Sequence, residues 1–476
     1  MAELGRKVAV LGAGITGLAA AHRLLAGPDS IEVEVFESSD RAGGVIDTFR
    51  DESGTVYEGG PDSFFNAKPE ALELCRELGL ESEIIGLSEA NRRSLVARRG
   101  RLHPLPEGFV MLAPSRIGPY LETPLISPLG KARCLMEVAL PRRLTPGDES
   151  VADFVVRRFG REMLTNVVEP MVGGIYVGDV ERLSAGAAIP QFVEMEREHG
   201  SVIRSLMKSR GNGSTAGARY GLFSSLVGGM GRLVDRLVET IGAERISFGT
   251  EIGAVFREDS RWSLLDAAGA DRGSYDAVIG CLPARTSASL LIDVDRDLAE
   301  ALSEIEAASS VVINLVFPAR SLTSMVEGFG FVIPHREVRS IIACSFTSNK
   351  FPERYGEDVH VLRAFLGGVR NEAVVERSDE ELVALALGDL KDYLGISESP
   401  LISRVRRYRK SMPQYLVGHQ ERVERIDRAL AELPGLFLAG NSYRGVGISD
   451  CVRSGEAAAL EASRYIQSRY IQNRCD

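Results

Sequence analysis

Three glycines and one carboxylate near the amino terminus carry the first recognisable chemistry. Gly12, Gly14 and Gly17 fall in GxGxxG spacing, and Glu37 follows 20 residues after the third glycine. A valine-rich run, KVAVL, precedes them, the helical ITGLAAAHRLL begins within the glycine motif, and the strand-like EVEVFES contains the acid. Strand, glycine turn, helix and strand ending in an acid make a βαβ dinucleotide fingerprint. Gly12 allows the tight turn, Gly14 lets backbone N–H groups approach a pyrophosphate, and Gly17 lets helix and strand pack closely. The helix N-terminus adds partial positive charge for the phosphates. Glu37 can accept hydrogen bonds from both hydroxyls of an adenosine ribose but repels a 2′-phosphate, so the ligand is FAD or NAD and NADP is disfavoured.

Two further segments bear on that choice. Arg41, Gly43 and Gly44 form a second glycine turn carrying a cation, placed to close over the far side of the same pyrophosphate. Near the other end, GLFLAGNSYRGVGISDCVRSGEAAA reads as a buried strand, a loop holding Gly440, Gly445 and Gly447, and a helix beginning near Ser449. Such a helix can aim its N-terminal N–H groups at a flavin's N1 and C2 carbonyl, where negative charge gathers on reduction. Taken alone, the tail reads more plainly as a strand and helix closing a sheet; beside two glycine turns it favours FAD. The chain holds no second GxGxxG, so a separate NAD(P)H site is not expected and reduced flavin must pass its electrons to oxygen or another carrier. It also lacks HExxH, GxSxG and any cysteine with a plausible histidine partner.

With 476 residues, 44% of them apolar and 26% charged, the chain is globular and longer than one ordinary domain. The net charge of -10 argues against non-specific nucleic-acid binding. Six scattered cysteines, with no CxxC pair, read as reduced thiols of a cytosolic protein and give no metal site. The first strand begins near Lys7, leaving no room for a signal or transit peptide, and no window approaches the ~18 apolar residues of a spanning helix. The expectation is a cytoplasmic protein, at most peripheral at a membrane.

The glycine turns need a scaffold to hold them, and the pattern of elements suggests one. The fold expected is α/β: a discontinuous Rossmann-like FAD-binding domain with an antiparallel-sheet substrate domain and a helical lobe. The first comprises 1–65 with 222–290 and 412–476. The second comprises 66–100 with 291–411, where SVVINLVF, FGFVIP, SIIACSF and VLRAFLGG alternate and ELVALALGDLKDYL forms a covering helix. The lobe, 101–221, opens on a proline-rich apolar and basic stretch that could face a greasy substrate or a membrane surface, or simply be core. Within it, 211–221 reads as a mobile connection.

At this point the sequence resembles the porphyrinogen oxidase branch of the flavin amine oxidase superfamily, over nearly its whole length. The superfamily features are the fingerprint, RAGG, GGMGRL and the tail loop; the branch-specific blocks are EGGPDSF (58–64), GGIYVGDVERLS (173–184), SMPQYLVGH (411–419) and GNSYRGVGISDC (440–451). HPLPEGFVMLAPSRI and GKARCLMEVALP look like the soluble enzymes of Gram-positive bacteria. The resemblance implies an FAD enzyme of haem biosynthesis that oxidises a porphyrinogen to a porphyrin in three two-electron steps. In each, a hydride leaves a bridge methylene carbon and a proton leaves a pyrrole nitrogen, with dioxygen as acceptor and peroxide as product. The branch implies coproporphyrinogen III, with protoporphyrinogen IX as the alternative. Transient contact with neighbouring haem-pathway enzymes and the oligomeric state stay open.

By the same match, FAD contacts are Gly12, Gly14, Gly17, Glu37, Arg41, Gly43, Gly44, Gly60, Pro61, Asp62, Ser63, Ile252, Tyr408, Val446, Gly447 and Ile448. Gly174, with Ile175 beside it, matches a glycine whose backbone carbonyl faces the flavin across the substrate. Phe331 and Phe365 match pocket-lining positions, although both lie in strand-like runs where aromatics are ordinary core. Ser94 stands where the mitochondrial enzymes have a propionate-binding arginine, and Arg92, Arg93 and Arg98 surround it as substitutes, with Arg101 in the same basic cluster. No side chain is expected to act as acid or base, since the flavin carries the difficult step. An amine oxidase or carotenoid desaturase-like flavoenzyme and a non-catalytic flavin-binding module remain as rival readings.

Overall fold

The computed structural model describes residues 6–28, 30–52, 54–89, 93–211, 222–321 and 327–475. Arg92 and the 212–221 part of the connection therefore lie outside the described residues.

The valine-rich run forms the strand Arg6–Leu11 at the centre of a five-stranded sheet. Ile31–Phe36 and Ala277–Gly280 flank it, and Ile246–Ser247 and Leu436–Leu438 complete the edges, every pairing parallel. Strands buried on both faces of a parallel sheet read as continuous apolar runs, as VAVL and AVIG do. The helix Ile15–Leu25 leaves the first strand through the glycine turn and packs against the helices Gly231–Ile241 and Ile448–Cys475. Gly455 allows that second contact, because a Cβ there would collide with the Thr16 carbonyl oxygen. One apolar core joins pieces from the start, the middle and the end of the chain. A small antiparallel sheet, Ile252–Glu258, Arg261–Asp266 and Asp271–Tyr275, rests on the other face.

A second large sheet runs in the order Ile402–Pro413, Ala307–Pro318, Val359–Gly367, Ile341–Phe346, Gly330–Val332, Ser94–Arg98 and Arg101–Pro104. Its pairings are antiparallel with one exception, since Gly330–Val332 and Ser94–Arg98 run parallel. That sheet is therefore mixed rather than wholly antiparallel. The helix Asp379–Leu394 covers one face, held at its start by the Ser378–Glu381 capping box. Arg101–Pro104 belongs to this sheet, and helices begin only at Ile117, so the expected lobe opens with strands. The helices from Ile117 to Gly211 enclose their own core. Within it Arg158 and Glu137, both fully buried, pair with each other and with backbone groups. Among the described residues no helix is long and apolar enough to cross a membrane.

Candidate functional site: two glycine turns and an open cavity

Gly12 has φ 98°, and a Cβ there would stand 2.9 Å from the Cys281 carbonyl oxygen; one at Gly17 would overlap the Gly12 carbonyl oxygen. Gly14 differs. It has φ −68°, and a Cβ on it would meet nothing within 4 Å, so the space in front of it is open. Gly14 is also the N-cap of the helix Ile15–Leu25, with no side-chain cap. The first N–H groups of that helix thus lack an intrahelical partner beside that open space, an arrangement suited to a pyrophosphate.

The second turn is joined to the first, with Gly43 N–H donating to the Ala13 carbonyl at 2.8 Å and a bridge linking Gly14 and Gly43. Arg41 clamps its own turn, donating to the carbonyls of Gly44 (2.7 Å), Ile46 (3.0 Å) and Ala42 (3.1 Å). Glu37 lies at the end of its strand beside both turns. One oxygen accepts from Ala13 N–H at 2.8 Å and the other from Ser39 N–H and hydroxyl at 2.9 and 2.6 Å. Ile252 starts the strand beyond, and Glu37 backbone groups bond Ser247 and Thr250 just before it.

The remaining cofactor candidates gather at the seam between the two sheets. Gly60 leaves no room for a Cβ against the Val45 carbonyl oxygen, and the Tyr408 hydroxyl donates to that same oxygen at 3.4 Å. Burial pushes the Tyr408 phenol up to about 12, so it remains a donor. Asp62, next to Pro61 and Ser63, is buried and accepts from Lys350 Nζ at 2.6 Å, with Arg363 at 3.0 Å. Burial works against its ionisation, but the two cations outweigh it and hold the carboxyl well below the usual range. Glu58 stands behind, wholly buried, accepting from Met230 N–H at 2.7 Å and Thr48 Oγ at 2.6 Å, with Arg354 at 3.4 Å. Desolvation raises its pKa in spite of these partners.

The tail loop is held from below by residues that pattern reading did not assign to it. The Tyr415 hydroxyl donates to Asn441 O at 2.6 Å and accepts from Gly445 N–H at 2.8 Å. His419 stacks on Tyr415 with ring centroids 4.0 Å apart, and its Nε2 bonds Tyr443 O at 2.8 Å. Burial lowers the His419 pKa to about 4. Ser184 N–H donates to Tyr415 O at 2.7 Å, and Gln414 donates to Tyr176 O at 2.8 Å. The blocks 173–184, 411–419 and 440–451 thus form one continuous structure. Val446 packs toward the helical lobe, and Gly447 and Ile448 begin the last helix, where Lys68 pairs with Asp450 at 2.7 Å.

Beside this seam a cavity of about 280 Å³ opens, lined among others by Ser63, Ser94, Phe223, Val332, Lys350 and Phe365. Gly174 borders it indirectly, since a Cβ there would lie 3.7 Å from Val332 Cγ1. It sits in the last turn of the helix Glu169–Tyr176, which follows a π-helical turn at Leu164–Val168, a distortion often found near functional sites. Gly174 itself lines a neighbouring cavity of about 230 Å³ with Glu169, His335 and Arg370. Ile175 is 44% exposed.

Phe331 and Phe365 separate. Strand side chains alternate between faces, and Phe331 points to the covered face, with Phe346 and Tyr393 at 5.9 and 5.5 Å. The Phe365 ring takes the face toward the seam, 5.3 Å from the Arg363 guanidinium. Phe331 thus borders the cavity while its ring is core. Of the basic residues, Arg93 pairs at the surface with Glu327, Arg98 is half-buried near Arg336, Arg99, Glu162 and Glu337, and Arg101 is exposed. Trp262 is buried with its indole N–H on Pro434 O, and so supplies no aromatic cage.

These features fit a flavin dinucleotide: an uncapped helix N-terminus, two joined glycine turns with open space before Gly14, and a carboxylate beside both turns. The chain belongs to the family described as flavin containing amine oxidoreductase, whose model matches residues 15–462. It is 35% identical over 476 residues to a coproporphyrinogen III oxidase of Bacillus subtilis (strain 168), spanning 98% of this chain and 100% of that protein. It is 32% identical over 491 residues to the protoporphyrinogen oxidase of Homo sapiens, spanning 96% and 98% respectively. A crystal structure from Exiguobacterium sp. 255-15 superimposes with a TM-score of 0.85 at 30% identity, covering 97% of this chain and 99% of that one. The protein is an oxidoreductase and its cofactor is FAD.

Proposed function

We propose that this enzyme oxidises a porphyrinogen to a porphyrin, taking coproporphyrinogen III in preference to protoporphyrinogen IX and passing electrons to dioxygen. The observation that carries this reading is the full-length match to the Bacillus subtilis coproporphyrinogen III oxidase, which spans the seam, the cavity and the lobe together. Bound FAD supplies the two-electron acceptor. The chain's own groups position and isolate the substrate. Gly12, Gly14, Gly17, Gly43 and Gly44 bring backbone to the pyrophosphate, and Glu37 receives the ribose. Gly60, Pro61, Asp62, Ser63 and Tyr408 form the floor between cofactor and cavity. The Gly174 carbonyl is among the last four of its helix, lacks an intrahelical partner, and can receive a pyrrole N–H. Phe365 offers a flat apolar wall. We place the reaction in the cytoplasm, with membrane contact at most peripheral.

The test compares kcat/KM for the two porphyrinogens at fixed oxygen. Coproporphyrinogen III carries four propionates where protoporphyrinogen IX carries two and two vinyls. One extra anchored carboxylate favours the former by about tenfold or more. An equal or higher value for protoporphyrinogen IX would overturn the preference and leave porphyrinogen oxidation standing.

A further inference from the structure

Around Asp62 the charges do not balance. Two carboxylates, Glu58 and Asp62, face three cations, Arg354, Arg363 and Lys350. Arg354 takes Glu58, and Asp62 is left to serve both Lys350 and Arg363. Arg363 also donates to the Gly60 carbonyl, and its Nε is buried with no partner. Since burial raises the Glu58 pKa and so favours its neutral form, the cluster carries at least one surplus positive charge, which is unfavourable unless an anion completes it.

The surplus has one way out. The Arg363 side chain is 3% exposed and Lys350 14%, and Lys350 is the one that lines the open cavity. No Asp or Glu is among the described residues lining that cavity, so nothing there competes for the ammonium group. Lys350 Nζ has three donors and spends one on Asp62, which holds it in place from behind. The Phe351 ring lies 5.3 Å from Nζ. Ser63, Ser94 and Ser345 are the other polar residues lining the cavity, and Phe223 and Phe365 are among the apolar ones. A cation held at the wall of a mostly apolar, acid-free cavity recognises a carboxylate attached to a flat apolar body.

We infer that Lys350 binds a carboxylate of the substrate, with Asp62 as its positioning partner. This rests on the porphyrinogen reading and assigns the propionate contact to a residue on the Ile341–Phe346 side of the cavity, not to the arginines around Ser94. The Lys350–carboxylate pair would neutralise the cluster, so recognition and burial of the charge are one event.

The experiment uses flavin-loaded enzyme, wild type, K350M and K350R, with coproporphyrinogen III and its tetramethyl ester as substrates. The acid-to-ester ratio of kcat/KM is expected to fall about tenfold or more in K350M, through KM, and to recover largely in K350R. Equal losses on acid and ester, or a shift confined to kcat and the flavin potential, would overturn the proposal by giving Lys350 a structural or flavin-directed role. Wild-type enzyme gives a check that needs no variant: it must prefer acid over ester by about tenfold or more, and equal values overturn the proposal. If wild type neither turns over the two porphyrinogens nor binds their porphyrins, the functional reading itself falls, and the role of Lys350 with it.

Discussion

The dinucleotide end and the cavity proposed for the substrate are built by opposite means. At the glycine turns the contacts are backbone, and the residues matter for what they lack: Gly17 has no Cβ to strike Gly12, and Gly14 leaves open space. At the cavity the contacts are side chains delivered from far apart in the chain, as with Lys350 and Asp62, 288 positions distant. The first kind of site leaves a local trace in sequence; the second depends on register and packing. A backbone site should therefore fail by steric exclusion, and a side-chain site by charge and contact.

The largest effect is expected from paired glycine substitutions. Gly17→Ala puts a methyl into the Gly12 carbonyl and should give no folded flavoprotein. Gly14→Ala meets nothing and should fold within about 1 kcal/mol of wild type while losing FAD. Melting curves and flavin content check both, and equal damage by the two would break the distinction between packing and ligand-facing glycines.

Next is Asp62→Asn, which leaves Lys350 and Arg363 without their carboxylate and should cost about 3 to 5 kcal/mol in denaturant unfolding. The depressed pKa fixes the sign with pH. The stabilisation is complete above the ordinary carboxylate range and is lost as pH falls below it, so wild type and variant should converge in strong acid. A constant gap would detach the effect from the carboxylate's charge.

How much of this was legible in the sequence follows from the same contrast. The turns, Glu37 and the central strands could be read because strand, turn and helix are consecutive. The two phenylalanines could not be told apart, since a period of two shows that faces alternate but not which face meets the cavity; Phe331 went to the core and Phe365 to the seam. Lys350 carried no signal, because an isolated lysine in SFTSNK gains meaning only from Asp62. Tyr415 and His419 lay inside a block that was recognised, yet their hold on the tail loop became visible only once Asn441 and Tyr443 were placed above them.

His419 gives a smaller and sharper test. Its folded pKa of about 4 lies below the ordinary 6.5, so the unfolded chain binds a proton first as pH falls. Between pH 7.5 and 5 this should remove roughly 2 kcal/mol of stability, a slope absent from His419→Gln. An unchanged slope in the variant would show that His419 is not held neutral. Smallest in its effect on folding is Gly174→Val, whose Cβ makes only an ordinary contact with Val332. The variant should melt like wild type with its flavin bound and show no turnover, and normal rates would remove Gly174 from the substrate's path.

The central claim is that this flavoprotein draws electrons from a porphyrinogen and delivers them to oxygen. An oxygen electrode with coproporphyrinogen III as sole reductant tests it directly: the account predicts oxygen uptake matched by peroxide and porphyrin, with no pyridine nucleotide present. An absolute requirement for NADH or NADPH, or a yellow protein that leaves the porphyrinogen untouched under air, would contradict it.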